Sequence, residues 1–268
     1  MTLRWTACKT PTGEAPPAAR TPEGTAVYAI GDIHGRIDLL DAMLDGIRQD
    51  ARSRRAWRHV LVFLGDYVSR APGGREAIQR ALDPRLPGFE VVRLKGNHED
   101  LLLRFLDGYL PAGGHWLEYG GFATLAEYGI EAPPSARRDR VQREALRARL
   151  IAALPAGDLK FLHALKISHT EGGYYFVHAG VRPGVALAAQ SERDRIWIRR
   201  RFLLSDADFG AVVVHGHCIA AAPEVRHNRI GIDTGAYRSG ILTCLVLEGE
   251  ERAFLQTAPV DIRAMTCA

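Results

Sequence analysis

Residues 26–35 read Ala26-Val27-Tyr28-Ala29-Ile30-Gly31-Asp32-Ile33-His34-Gly35. A short apolar run stops at a glycine, and the turn that follows carries an aspartate and a histidine. Beyond it, Ile37, Leu40, Met43, Leu44 and Ile47 recur at helical spacing. The same unit returns twice. Val60–Leu64 stops at Gly65-Asp66, and Gly74–Leu82 then looks helical. Phe89–Leu94 stops at Lys95-Gly96-Asn97-His98-Glu99, and Leu101–Leu106 begins another helix. The order β-α-β-α-β-α predicts an α/β fold around a largely buried sheet. Each polar motif sits where a strand stops, the place where such sheets carry their sites.

Outward from this core the pattern changes. Residues 1–24 hold Pro11, Pro16, Pro17 and Pro22 among small residues and predict a flexible N-terminal tail. Tyr109–Ser135 is rich in Gly, Pro and aromatics, and Ala136–Ala153 is an arginine-rich helical stretch. Together they predict a cap-like insertion at about 109–160 covering one side of the site. Lys166–His169 and Tyr174–Val177 predict a hairpin, followed by strands at Ala211–Val214, Ile230–Asp233, Leu242–Leu247 and Arg252–Gln256. A second half so rich in strands predicts a second sheet packed on the first: two mixed sheets face to face with helices outside, in one domain over 25–258 and a C-terminal tail over 259–268.

Composition removes other classes. The chain has 268 residues, 47% of them hydrophobic and 25% charged, ordinary for a globular protein. Its four cysteines include no C-x-x-C pair, which disfavours a disulfide scaffold or a thiolate zinc site. No apolar run approaches membrane-spanning length, and the N-terminus shows no secretory apolar core, so a cytoplasmic setting without a membrane partner is expected. The formal net charge is +4, with 31 of the 35 basic residues arginine. Arginine's planar fork suits phosphate. No nucleic-acid motif accompanies the charge, so a phosphorylated substrate is expected and nucleic acid is not.

The strand ends collect Asp32, His34, Asp66, Asn97, His98, His178, His215 and His217. These oxygen and imidazole donors suit manganese, iron or zinc. A lone carboxylate such as Asp66 can bridge two ions, the arrangement used in phosphate-ester hydrolysis. Gly31-Asp32-Ile33-His34-Gly35, Gly65-Asp66-Tyr67-Val68-Ser69-Arg70, Gly96-Asn97-His98-Glu99, His178-Ala179-Gly180 and Gly216-His217 occur in that order. Over about residues 26–256 the chain thus resembles the calcineurin-like metallophosphoesterases. Within them it resembles the phosphoprotein (serine/threonine) phosphatases, with bacterial and phage members such as phage lambda phosphatase the best match. The segments Ile232-Asp233-Thr234-Gly235-Ala236 and Trp116–Gly129 also resemble bacterial members.

The resemblance implies a four-layer sandwich and two divalent ions, manganese first with iron or zinc as alternatives. Asp32 and His34 would hold one ion, Asp66 both, and Asn97, His178 and His217 the other. A hydroxide bridging the metals would attack phosphorus in line. Arg70 and Arg199 would bind the phosphate with Asn97 and Tyr237 nearby, and His98 would protonate the leaving oxygen. The implied activity is phosphomonoester hydrolysis, with a serine/threonine phosphoprotein as substrate. Diadenosine polyphosphate or another small phosphate ester is the alternative substrate. A metal-binding, phosphoprotein-binding module with decayed catalysis is the non-enzyme alternative.

One departure bears on chemistry. The family pattern has aspartate where this chain has Ser69, and that aspartate steadies the acid histidine and raises its pKa. Without it His98 should be less well oriented and less often protonated, unless Glu99 supplies the charge. The penalty should fall on alkyl phosphates more than on aryl phosphates, whose leaving oxygen needs no proton. Ser69→Asp is therefore expected to raise turnover of a phosphoserine peptide relative to nitrophenyl phosphate; an unchanged ratio would contradict this account.

Overall fold

The computed structural model describes residues 2–7 and 19–258. Among the described residues there are eleven strands: β1 (Thr2–Ala7), β2 (Thr25–Ile30), β3 (Arg58–Phe63), β4 (Phe89–Arg93), β5 (Ser168–Glu171), β6 (Tyr174–Val177), β7 (Val212–His215), β8 (Glu224–Val225), β9 (Arg229–Gly231), β10 (Thr243–Glu248) and β11 (Glu251–Ala258). They form a six-stranded sheet in the order β1-β11-β10-β2-β3-β4 and a five-stranded sheet in the order β5-β6-β7-β9-β8. Both are mixed: β2-β3-β4 and β6-β7-β9 run parallel, and the outer strands pair antiparallel.

Alternation along the central strands explains the layers. In β2 and β3, Val27, Ala29, Val60 and Val62 face one way and join Leu64, Leu245 and Leu247 against Tyr174, Phe176, Val212, Val214 and Ile230 of the other sheet. The intervening residues Tyr28, Ile30, Leu61 and Phe63 face helices. Strands covered on both faces have no polar side to spare, which is why they read as continuous apolar runs. The helices over the first sheet are α1 (Ile37–Ser53), α2 (Gly74–Leu82) and α3 (Asn97–Leu106), joined by the insertion helices α4 (Leu110–Trp116), α5 (Phe122–Glu127), α6 (Arg140–Ala153) and α7 (Ala156–His163). Beyond the second sheet, α8 (Glu192–Trp197) and α9 (Arg200–Leu203) pack through Ile198 and Phe202 onto Tyr175, Val177 and Val213. A last short helix, α10 (Ala236–Ser239), lies in the loop before β10. The result is the expected helix–sheet–sheet–helix stack.

Two expectations need correction. The N-terminal tail is partly structured: Thr2–Ala7 pairs antiparallel with β11, completing its free edge. The alternation Leu3, Trp5, Ala7 between Thr2, Arg4 and Thr6 is the strand signal the prolines obscured. Residues 19–24 are docked as well. Thr21 N–H donates to Gly249 O at 3.0 Å, and Gly173 N–H donates to Arg20 O at 2.9 Å. The remainder of that stretch and residues 259–268 lie outside the described residues. Second, the strands of the second half do not all enter one sheet. β10 returns beside β2, with Leu245 opposite Ala29, so β10 and β11 belong to the first sheet. The Gly- and Pro-rich segment of the insertion folds as helices: Pro111 stands in the first turn of α4, where its missing N–H costs nothing.

Among the described residues, no helix is long and apolar enough to cross a membrane.

Candidate metal centre and its arginine-lined cavity

The strand-end motifs converge as their order predicts. Asp66, after β3, lies between the others. Its Oδ2 is 3.4 Å from His34 Nε2 and 3.9 Å from His98 Nε2, and its Oδ1 is 3.6 Å from His178 Nε2. Donor atoms of His34, Asp66 and His98 lie within 4.8 Å of one another, and so do those of Asp32, Asp66 and His178. Asn97 Oδ1 lies 3.0 Å from His178 Nε2 and 2.8 Å from His217 Nδ1. The six expected ligands, Asp32, His34, Asp66, Asn97, His178 and His217, are thus brought together, all buried.

The backbone is bent to achieve this. His34, Asp66 and His217 adopt left-handed φ values of 48°, 54° and 65°, conformations that cost of order 1–3 kcal/mol each and persist where the surroundings impose them. Two glycines let strands close in. A Cβ on Gly96 would fall 2.0 Å from Asp66 Oδ1, and one on Gly216 would fall 2.1 Å from Asp32 Oδ1. Glu99 holds the Asp66 turn from beneath: its carboxylate accepts from the backbone N–H groups of Asp66, Tyr67, Val68 and Gly96 at 2.8–3.2 Å.

The donor chemistry fits cations. His34 Nδ1–H donates to Val68 O at 3.1 Å, and His178 Nδ1–H donates to Leu64 O at 2.9 Å. Each bond fixes the tautomer and turns a bare Nε2 lone pair inward. Burial pushes His34 down to about 3 and His178 down to about 4, so both rings stay neutral. His178 Nε2 therefore faces Asn97 Oδ1 lone pair to lone pair. Asp32 Oδ1 and His217 Nε2 are buried with no hydrogen-bond partner. Burial pushes Asp66 up to about 7 and Asp32 well above the usual carboxylate range, the latter helped by Asp233 and Asp66 beside it. Converging lone pairs and crowded buried carboxylates are the arrangement that divalent cations relieve.

Other expected residues fall as follows. Arg70, Arg199 and Tyr237 line a cavity of about 330 Å³ over the ligands. The Arg70 guanidinium lies 5.8 Å from the Tyr119 ring and 5.4 Å from the Tyr237 ring, and Tyr237 meets His34 edge-on at 5.5 Å. Arg199 follows Trp197, whose indole N–H donates to Asp100 at 3.0 Å. His98 sits beside Asp66, but its Nδ1 is buried without a partner. His215 is not at the site; it lies behind it, with Arg229 3.3 Å from its Nε2 and the Phe202 ring edge-on. Glu99 does not serve His98, because both its oxygens are occupied by main-chain amides.

Ser69 is fully buried, and its hydroxyl accepts from Trp116 Nε1–H at 3.0 Å. Its own N–H donates to Thr124 Oγ1 at 3.1 Å, and Arg70 N–H donates to Gly120 O at 3.2 Å. The insertion thus holds the left-handed pair Ser69 and Arg70 (φ 72° and 74°) in place. Sequence reasoning missed Asp233 and Arg238 as lining residues. Asp233 ends the run Ile230–Asp233 as Asp32 ends residues 26–30, and that parallel was the available signal. Arg238 carried none, being one arginine of many.

Comparison with known proteins agrees with the geometry. The model of the calcineurin-like phosphoesterase family matches residues 25–238. A symmetrical bis(5'-nucleosyl)-tetraphosphatase of Aromatoleum aromaticum is 33% identical over 159 residues, 59% of this chain. The chain spans only 45% of that relative's length. The asymmetrical bis(5'-nucleosyl)-tetraphosphatase PrpE of Halalkalibacterium halodurans is 28% identical over 81% of this chain and 87% of its own. The cold-active protein-tyrosine phosphatase of a Shewanella species shares the fold, with a TM-score of 0.54 at 16% identity over 85% of this chain and 78% of its own.

Because Asp66 takes up a proton as pH falls through about 7, cation binding must displace it. Manganese affinity is expected to climb from pH 6 towards 7 by about tenfold per unit for each proton displaced, then to level off. Calorimetry in buffers of different ionisation enthalpy counts that proton; an affinity flat from pH 6 to 8 would contradict the assignment. Matched over residues 25–238, with its candidate ligands gathered at the strand ends, the chain belongs to the calcineurin-like phosphoesterase family.

Proposed function

We propose that this protein is a hydrolase of dinucleoside polyphosphates that uses two divalent ions, manganese foremost, with Asp32, His34, Asp66, Asn97, His178 and His217 as their ligands. The observation that carries the reading is the set of three arginines on the cavity wall. Arg70, Arg199 and Arg238 all line it, and none of the three makes a side-chain hydrogen bond or ion pair among the described residues. Several guanidiniums elsewhere are engaged by carboxylates: Arg58 by Glu90 and Glu171, Arg54 by Asp50 and Glu248, Arg182 by Asp194. Three uncommitted guanidiniums over one cavity suit a ligand carrying several phosphate charges.

The condition of His98 supports the same reading. A serine phosphate leaves as an alkoxide, a strong base that needs a proton delivered. A phosphoanhydride leaves as a phosphate, whose second pKa is only about 6. With Ser69 engaged by Trp116 and no partner at His98 Nδ1, the site lacks the device that steadies and charges an acid histidine, and a polyphosphate asks least of it. The relatives named for bis(5'-nucleosyl)-tetraphosphate hydrolysis point the same way, and the reading thereby shifts from the phosphoprotein substrate that the motifs first implied.

When bound, the metals would supply an activated water and neutralise phosphoryl charge. The chain's own part is to hold the phosphoryl group with Arg70 and Arg199. Stacking between Tyr119 and Tyr237 keeps Arg70 aimed into the cavity. His98 would hydrogen-bond the leaving oxygen.

The deciding experiment is a substrate panel with manganese: diadenosine tetraphosphate, phosphoserine and phosphotyrosine peptides, nitrophenyl phosphate and a bis-nitrophenyl diester. The dinucleotide is expected to exceed the peptides in kcat/KM by at least about tenfold, the effect of about 1.4 kcal/mol of added contact. Preference for a phosphopeptide would return the protein phosphatase reading. No turnover of any substrate by metal-replete protein would favour a binding module.

A further inference from the structure

Arg238 stands apart from the other two cavity arginines. Arg70 follows β3 and is held by the insertion, and Arg199 precedes α9. Both charges act on Asp66, whereas that of Arg238 acts on Asp233. Arg238 belongs to a turn built to be stiff. Gly235 and Gly240 flank α10 in left-handed conformations (φ 67° and 70°). Asp233 Oδ1 accepts from Gly235 N–H at 2.9 Å, Ser239 Oγ–H donates to Thr234 O at 2.8 Å, and Arg36 Nη1–H donates to Ala236 O at 2.9 Å. These bonds fix the backbone and leave the Arg238 head free. The side chain folds back across Gly235 beside Ile219, for a Cβ there would lie 3.4 Å from Arg238 Nε and 3.0 Å from Ile219 Cγ2. Ile219 is itself 39% exposed at the cavity wall.

We propose that Arg238 is a specificity-determining residue that binds the second phosphate of a polyphosphate chain while Arg70 and Arg199 hold the phosphoryl group undergoing cleavage. This rests on the polyphosphate reading of the cavity. With the backbone of its turn already fixed, Arg238 orders only its side chain on binding, so its contact discriminates by phosphate number. Ile219, next to it, offers an apolar surface where the chain leads on to a nucleoside. A substrate with one phosphate gains nothing from Arg238.

The test separates this assignment from the wider reading. Nitrophenyl phosphate turnover is measured with excess manganese in the presence of orthophosphate or tripolyphosphate, for the natural chain, Arg238→Ala and Arg238→Lys. Calorimetry of the same two anions is run alongside. In the natural chain tripolyphosphate is expected to bind more tightly than orthophosphate. In Arg238→Ala that gap should shrink about tenfold, and kcat/KM for diadenosine tetraphosphate relative to nitrophenyl phosphate should fall by a similar factor, chiefly through KM. Arg238→Lys, which keeps the charge but not the fork, should recover part of the loss. Equal losses for both anions, or none, overturn the assignment. If the natural chain leaves the dinucleotide intact while the tripolyphosphate gap exists and depends on Arg238, the dinucleotide reading fails and the second-phosphate contact stands.

Discussion

Four main-chain amides from two strand ends converge on the single buried carboxylate of Glu99. Much of the site depends on that convergence. The amides of Asp66, Tyr67 and Val68 belong to the turn after β3, and that of Gly96 to the turn after β4. Tying both to one side chain draws the turns so close that Gly96 admits no Cβ beside Asp66. Asp66 is then presented to the lone pairs of His34 and His178, with the His98 amide at the start of α3 donating to its Oδ1 at 3.1 Å. Burial pushes Glu99 up to about 7, while the amides oppose that shift by favouring the charged form. Replacing this acceptor would leave several buried donors unpaired, each at a cost of about 1–3 kcal/mol.

A second constraint acts from outside. The insertion contributes Trp116 and Thr124 to Ser69, Gly120 to the Arg70 amide, and the Glu127 carboxylate to the amides of Gly74 and Arg75 at the start of α2. One face of the turn after β3 is thus held by Glu99 and the other by the insertion. The left-handed strain at Ser69 and Arg70 is offset on that outer side, and Arg70 is left with its head free between two tyrosine rings. The Ser69 hydroxyl accepts from the Trp116 indole, where the resemblance would place a carboxylate on the acid histidine. The same substitution that stiffens the arginine leaves the histidine unsupported.

The site was legible where chemistry and topology coincide. Asp32, His34, Asp66, Asn97, His178 and His217 each stand at the end of an apolar run, and parallel strands must bring such ends to one edge. Arg70 was readable for the same reason, four residues after Asp66. The edge strand Thr2–Ala7 was not, because the neighbouring prolines dominated the composition of that stretch and its partner, β11, lies at the other end of the chain. The return of β10 and β11 to the first sheet is likewise a long-range choice that no local pattern encodes. Glu99 was read as a source of charge for His98 because adjacency in sequence does not tell which way a side chain turns on a helix. Trp116 and Arg238 owe their significance entirely to what faces them across the fold.

The claim on which the rest stands is that these six residues hold two divalent ions with Asp66 shared between them. Metal content per chain, measured by elemental analysis after manganese loading and removal of free metal, tests it directly. The account predicts two ions per chain for the natural protein and a loss of both on Asp66→Ala, with the fold retained by circular dichroism. One ion or none in the natural protein, or full occupancy in the variant, would contradict it.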